Sequence, residues 1–291
     1  MKLLGIWPCA WRKTIHAGIG VLAATAMLVG SPGAGAETAL EKIKRTGKVT
    51  VGTEAAFPPF EFIEDGKIVG YGKDILTYII DDMGVELNQL DLPWQGILPG
   101  LLAKKFDFVA TSVSVTEERV KKYAYTVPIA EGTSWLMKRV GDDRIGMVED
   151  AAGLVVGTQL ASAGEVAAKA FEENVLQPKR GEGYGELKLY TAFPETYIAL
   201  ANGELDGVIQ SVPNLAVLIK NQPGMFELVG PVKDQHYMGW VTRPEDKDLR
   251  DYLSSQILEM RDSGYLYELQ DKWFGFRTEI PDSGYLPPGA H

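Results

Sequence analysis

The sequence predicts an α/β fold, because short β-branched segments alternate with amphipathic ones. This alternation runs from residue 49 to residue 122 and starts again after Met137. From residue 237 the chain turns extended once more and then closes with two amphipathic segments. The pattern favours mostly parallel sheets and leaves open whether the chain forms one large domain or two lobes.

The first stretch of alternation predicts three strands and three helices. Its first helix has a helical period, with Ile75, Leu76, Ile79 and Ile80 on one face. A hydroxyl-rich segment at 111–116 is expected to be a loop. We expect strands at 49–51, 85–92 and 106–110, and helices at 74–83, 95–104 and 116–122.

The second stretch repeats this order. We expect strands at 154–156, 187–190 and 207–209, helices at 163–171 and 194–202, then a strand at 237–241 and helices at 247–260 and 265–273. The segment 276–291, called the tail below, becomes rich in Pro and Gly. We expect it to be loose.

The first 36 residues have the composition of an export signal. Three cations precede an apolar run at 17–30, which is too short for a comfortable membrane span, and an Ala-Gly-Ala cleavage site follows. We expect cleavage after Ala36 and a periplasmic protein; a retained anchor helix is the alternative. Cys9 is the only cysteine and precedes the apolar run, so we expect no lipid anchor and no disulfide.

The charge of the chain limits its partners. The formal net charge is −10, and removal of the three leader cations lowers it to −13. Such a charge opposes binding to nucleic acid and to anionic membrane surfaces and favours solubility.

The run at 51–62, in which a strand ends in a loop, carries the most informative side chains. It presents Glu54 and Phe57 where the strand at 49–51 ends, which is the edge at which open α/β sheets bind small ligands. Pro58 and Pro59 keep the loop stiff and remove two backbone donors.

Four further segments, together with this loop, resemble the polar amino-acid solute-binding proteins of ABC transporters, which form family 3 of the bacterial extracellular solute-binding proteins. The segments lie at 94–101, 111–119, 203–207 and 272–275, and the last reads Lys-Trp-Phe-Gly. Together the segments span nearly all of residues 45–275, and their order and spacing carry the resemblance.

The resemblance implies the type II periplasmic binding fold, in which two hinge segments join two α/β lobes. The first lobe would comprise 37–132 and, after the chain returns, 235–275. The second lobe would comprise 133–234. The hinges would lie near 130–135 and 232–237.

Arg119 is the main candidate for anion binding. A guanidinium offers a rigid fork of donors that fits a carboxylate, and the hydroxyls of Ser112 and Ser114 lie close in sequence. The resemblance implies that Arg119 and the backbone near Ser114 hold a ligand carboxylate. The alternative is a surface arginine paired with Glu117 or Glu118.

The resemblance also places Glu54, Phe57 and Trp94 against the body of the ligand. Aromatic rings can clasp a flat or cationic group, at about 1 kcal/mol or more for a desolvated cation–π contact. For Trp94 the alternative is packing in the core.

The second lobe departs from the family pattern. Ser162 keeps one hydroxyl where the family usually has Gly-Thr-Thr, and Ser211 stands where amino-acid binders usually have an aspartate for the α-ammonium. Either Glu54 takes over that role or the ligand has no ordinary free α-ammonium; an N-substituted, cyclic or ureido carboxylate would suit. Gln210 would then either contact the ligand through its amide or only fill the strand.

No catalytic set emerges, because the two histidines after residue 36 lie near no nucleophile motif. We therefore expect a monomeric periplasmic binding protein, without metal or cofactor, that delivers a small carboxylate or zwitterionic solute to an inner-membrane ABC permease. A cyclohexadienyl dehydratase-like enzyme, with Glu54 or Glu195 as its acid, and a sensor input module are the alternatives.

Overall fold

Two separate five- and six-stranded sheets organise residues 37–291, the part of the chain that the computed structural model describes. The expected export signal and Cys9 lie outside the described residues. The first sheet has the order β5-β1-β6-β14-β7, with β8 paired to β14. Its strands are β1 (Lys48–Thr53), β5 (Glu86–Asp91), β6 (Phe108–Ser114), β7 (Ala124–Tyr125), β8 (Ala130–Glu131) and β14 (Tyr237–Thr242).

The second sheet has the order β11-β10-β12-β9-β13. Its strands are β9 (Ser134–Arg139), β10 (Val155–Gln159), β11 (Glu186–Tyr190), β12 (Gly207–Ser211) and β13 (Phe226–Pro231). A small third sheet holds β2 (Ala56–Phe57), β3 (Glu61–Glu64) and β4 (Lys67–Val69).

Both large sheets have a parallel centre and antiparallel additions. Strand β1 runs parallel to β5 and β6, and β10 runs parallel to β11 and β12. Strands β14 and β9 pair antiparallel within the first and second sheet, respectively. The chain passes from the first sheet to the second between Glu131 and Ser134 and returns between Pro231 and Tyr237.

The longer helices that connect the parallel strands each bury an apolar face. In the helix that follows β4, Ile75, Leu76 and Ile79 are fully buried, and Gly84 ends the helix at a φ of 66°, a conformation that glycine adopts without strain. The helices of the described part are α1 (Ala39–Thr46), α2 (Tyr71–Met83), α3 (Trp94–Leu102), α4 (Ala163–Phe171), α5 (Gln177–Arg180), α6 (Phe193–Ala201), α7 (Val212–Asn221), α8 (Lys247–Asp262) and α9 (Tyr265–Trp273).

The α/β class is confirmed, and helices α4 and α9 have the predicted bounds. Sequence reasoning missed α1, β9, α7 and β13, although α1 carries a readable capping box in which the Thr38 hydroxyl accepts from the Glu41 amide.

The expected loop at 111–116 is wrong for its first four residues, because β6 continues to Ser114. The reason is pairing: Val113 and Ser114 lie opposite Gly239 and Met238 of β14. The helix expected at 116–122 is only a 3₁₀ turn at Arg119–Lys121, begun by the Thr116 hydroxyl, which accepts from the Arg119 amide at 3.2 Å.

The tail forms no helix or strand, yet it lies against the body of the protein. Ile280 is buried, and Leu286 and Ala290 pack against an apolar cluster below α3 and β6. A guanidinium nitrogen of Arg261 donates to the Ile280 carbonyl at 3.2 Å. The tail therefore differs from the loose segment expected, because Ile280 is buried and Leu286 and Ala290 are half-buried.

The carbonyl oxygen of Ala161, just beyond β10, joins the region of the second sheet to that of the first. The Trp94 indole and one guanidinium nitrogen of Arg119 both donate to this oxygen, each at 3.0 Å. Ala161 has a φ of 61°, a left-handed conformation that costs an L-residue with a side chain about 1–2 kcal/mol.

We expect Ala161→Gly to raise the free energy of unfolding by about 0.5–1 kcal/mol, because glycine adopts this φ without strain and the carbonyl contacts do not need a side chain. Denaturant unfolding measures the change. Ala103→Gly is the matched control, because Ala103 is exposed and has a φ of −76°. There glycine relieves no strain and only raises the conformational entropy of the unfolded chain, so the free energy of unfolding should fall by about 0.5 kcal/mol. Equal effects of the two substitutions would refute the strain at Ala161.

Candidate functional site

A cavity between the two large sheets brings together all nine residues selected from the sequence. The space between these residues is about 390 Å³, counting the part that opens to solvent. The nine are Glu54, Phe57, Trp94, Ser112, Ser114, Arg119, Ser162, Gln210 and Ser211; Gly132, Ser134, Gln159, Ala163, Gly164 and Phe193 complete the lining.

The topology explains this convergence. Glu54 follows β1, Ser114 ends β6, Gln159 ends β10 and Ser211 ends β12. These are the carboxyl ends of the parallel strands of both sheets, the edge at which α/β folds place their ligands. Phe193, which begins α6 just beyond the end of β11, was missed because no motif surrounds it.

Arg119 is a cation without an anionic partner in the described part of the chain. Its guanidinium donates to the carbonyls of Ser114 at 3.1 Å and Ala161 at 3.0 Å and lies 5.0 Å from the centre of the Trp94 ring. The pairing with Glu118 that the sequence allowed does not form, because Glu118 bonds to Lys122 at 2.7 Å. Burial lowers the pKa of Arg119, but a guanidinium stays protonated in proteins.

Two serines lie beside this cation on β6. The Ser112 hydroxyl is buried and has no hydrogen-bond partner among residues 37–291. The Ser114 carbonyl accepts from Arg119 and, at 3.0 Å, from the Tyr125 hydroxyl. A buried donor without a partner costs free energy, so Ser112 is suited to a ligand oxygen.

Glu54 is the one acidic side chain that lines the cavity within the described residues. It is buried, and the Gln159 amide donates to its Oε1 at 2.6 Å across the two sheets. Burial, with a smaller contribution from the charge of Asp91, raises the pKa of Glu54 to about 7. A cationic ligand group nearby would favour the ionised form.

An aromatic wall lies beside Glu54. The Phe57 ring stacks on Phe60 at 5.3 Å and lies 5.5 Å from Phe193, so rings from both large-sheet regions contribute. Trp94 is buried, as expected for a residue packed in the core, and it also lines the cavity.

The hydroxyl of Ser162 is used within the protein. It caps α4 by accepting from the Glu165 amide at 3.2 Å, and it donates to the Gln159 carbonyl at 2.7 Å. The start of α4 therefore contributes to the cavity chiefly through the backbone of Ala163 and Gly164.

Ser211 has a partner too. Its hydroxyl hydrogen-bonds the Asn214 side chain, whose amide donates to the Pro58 carbonyl at 2.5 Å. This chain of bonds joins the end of β12 to the loop that carries Phe57. The side-chain Oε1 of Gln210 accepts from the Ser211 amide at 2.6 Å. The buried Gln210 Nε2 has no partner in the described part of the chain.

Glu54→Gln should change how stability depends on pH. The Glu54 pKa is about 7 in the folded protein against an ordinary value of 4.5. As pH rises through this interval the unfolded chain releases the proton first, so the folded state loses about 3 kcal/mol relative to the variant.

Denaturant unfolding of both proteins from about pH 4 to about pH 8 tests this. We expect the difference in unfolding free energy, wild type minus variant, to fall steadily over the range. Glu61, whose burial raises its pKa to about 8, is present in both proteins and largely cancels. Two parallel pH profiles would show that Glu54 is not protonated near neutrality.

Comparisons with known proteins agree with this architecture. The sequence model of the bacterial extracellular solute-binding proteins, family 3, matches residues 49–276. The L-cystine-binding protein TcyJ of Escherichia coli (strain K12) is 30% identical over 243 residues, which are 82% of this chain and 87% of that protein.

Solved structures give the same result. A mutant of ArgBP from T. maritima has a TM-score of 0.71 at 29% identity and covers 82% of this chain and 100% of its own. An ancestral amino acid-binding protein, described as a precursor of cyclohexadienyl dehydratase, has a TM-score of 0.71 at 25% identity, with 81% and 99% covered.

The family match spans both large sheets and every residue that lines the cavity. The described residues contain no helix long and apolar enough to cross a membrane. The chain belongs to family 3 of the bacterial extracellular solute-binding proteins and has their type II periplasmic binding fold.

Proposed function

We propose that this protein is the periplasmic binding component of an ABC uptake system for amino acids or amino-acid-like small carboxylates. The observation that carries the proposal is a cavity with one unpaired guanidinium, Arg119, and one buried carboxyl, Glu54. The relative named for binding L-cystine supports the ligand class.

In this proposal the ligand carboxylate binds Arg119. The free hydroxyl of Ser112 and the backbone near Ser114 complete the anion site. The cationic or N–H part of the ligand lies against Glu54, with Phe57 and Trp94 packed on its body. A bidentate guanidinium–carboxylate pair gives both affinity and orientation.

The ligand enters by hinge motion of two lobes, which we assign to 37–132 with 235–275, and to 133–234. The hinges are the two passages of the chain between the sheets, near 130–135 and 232–237. Several direct hydrogen bonds join the lobes when they are closed, among them Arg119 to Ala161, Gln159 to Glu54, and Asn214 to Pro58. Hinge closure of this kind is common in binding proteins.

The partner would be an inner-membrane ABC permease. We propose that the protein acts as a monomer in the periplasm, free of a lipid anchor, after cleavage behind Ala36. The net charge of −13 that remains after cleavage is consistent with a soluble carrier.

A dehydratase on the same fold is the second candidate, because Glu54 is a buried carboxyl with a pKa near 7, as a general acid requires. Glu195 is not suited to this role, since its carboxylate caps α6 by accepting from the Thr191 and Ala192 amides. Appearance of aromatic absorbance when prephenate or arogenate is mixed with the protein would favour the enzyme.

A thermal-shift screen tests the binding function. It should include amino acids, betaines, ectoines, opines and ureido acids, because a ligand that binds only the folded state raises the unfolding temperature by mass action. A shift with one of these classes identifies the ligand; no shift with any of them would contradict the proposal.

Arg119→Lys should weaken binding of the ligand found in that screen by about tenfold or more, because one ammonium cannot replace a two-pronged guanidinium. Titration calorimetry measures the affinity. The matched control is Lys122→Arg, three residues along the same segment and outside the cavity lining, which should leave the affinity unchanged. Unchanged affinity in Arg119→Lys would remove Arg119 from the site.

Ser211→Asp tests which amino group the ligand carries. If the ligand lacks an ordinary α-ammonium, the new buried carboxylate has no partner and repels the ligand carboxylate, so affinity should fall by about tenfold or more. Ser211→Asn is the matched control, of the same shape without the charge. Submicromolar binding of a common α-amino acid by the wild type would refute this ligand class and make Glu54 the partner of the ammonium.

A further inference from the structure

The tail extends beyond the part of the chain that matches the family. The match ends at residue 276, whereas the structure describes ordered contacts up to His291. The part of the tail at 284–291 is called the strap below. The strap lies beside the short segment that carries Arg119.

One end of the strap lies beside the segment that leads to Arg119. A groove is lined jointly by residues 115–117, by residues 233–237 of the second passage between the sheets, and by strap residues 284–287. Leu286 packs against the apolar cluster that contains Val115, Val120 and Tyr123. The strap therefore packs against the approach to Arg119 and shares a groove with the second passage.

The other end of the strap lies just past Arg119. The His291 Nε2 is 3.0 Å from the Lys121 carbonyl oxygen, placed to donate a hydrogen bond. A guanidinium nitrogen of Arg250, on α8, donates to the His291 carbonyl at 3.3 Å. Ala290 adds an apolar contact with the same cluster. The strap thus reaches both sides of residues 116–123, which are called the Arg119 turn.

The Arg119 turn has little stability of its own. It contains a 3₁₀ turn of three residues, and such short turns have poor hydrogen-bond geometry. Its backbone bonds run from the Val120 amide to the Thr116 carbonyl at 3.1 Å, and from the Lys122 and Tyr123 amides to the Arg119 carbonyl at 2.9 Å. Its conformation must depend on what packs against it.

We propose that the strap is a positioning element that holds the Arg119 turn, and through it the guanidinium, in the geometry of the cavity. Leu286 and His291 are the positioning residues. That Arg119 binds a ligand rests on the proposed function; that the strap holds the turn does not. The competing explanation is that the strap only covers apolar surface, in which case its loss would act on the first lobe as a whole.

Hydrogen exchange of the ligand-free mature protein, read by mass spectrometry, distinguishes the two. The variants are deletion of 284–291, which keeps the buried Ile280 in place, and the point substitution Leu286→Asn. We expect the Val120, Lys122 and Tyr123 amides to exchange about tenfold faster or more in both, while peptides from α4 keep their wild-type rates.

Ser283→Ala is the matched control, because Ser283 is an exposed tail residue just before the strap; its exchange should equal that of the wild type. Unchanged exchange in the Arg119 turn, or an equal acceleration in every peptide of the first lobe, would overturn the proposal. Because no ligand is used, a failed ligand screen would contradict the binding function and leave this result intact.

Discussion

The uncompensated charge of Arg119 is the constraint on which the cleft depends. Removing a guanidinium from water costs several kcal/mol unless hydrogen bonds or an opposite charge replace the solvent. Here two carbonyls and the face of Trp94 replace it in part. One of those carbonyls, of Ala161, belongs to the second sheet region, so the same charge also draws the two halves together.

The two halves divide the work of recognition unequally. Both charged groups of the cavity lining, Glu54 and Arg119, come from the region of the first sheet in the described chain, whereas the second supplies neutral amides, hydroxyls and backbone. Under the proposed function, long-range attraction would therefore orient a zwitterion on the first lobe. Closure of the lobes would then add short-range hydrogen bonds, such as that of Gln159 to Glu54, which depend steeply on geometry.

Local signals were sufficient for the bounds of two helices. Helix α4 begins at the cap formed by Ser162 and α9 follows Gly264, and both have the predicted bounds. Local signals failed to predict a strand where its backbone pairing to a distant strand outweighs a loop-like amino-acid composition. Hydroxyl-rich residues 111–114 suggest a loop, but their backbone is paired to β14, more than 100 residues away in sequence. The prediction that the strap is loose failed for a related reason. Leu286 packs against an apolar cluster that exists only in the folded first lobe.

The sequence by itself determined the α/β class, the family and the nine side chains selected for the cavity, because strand ends, motif order and residue chemistry are local properties. Only the tertiary structure decided what each polar group does. Ser162 and Ser211 have hydrogen-bond partners within the protein, whereas Ser112 and Arg119 keep capacity for a ligand. Burial also moved the pKa of Glu54 to about 7. Partners and burial depend on residues far apart in the chain, so no local pattern contains them.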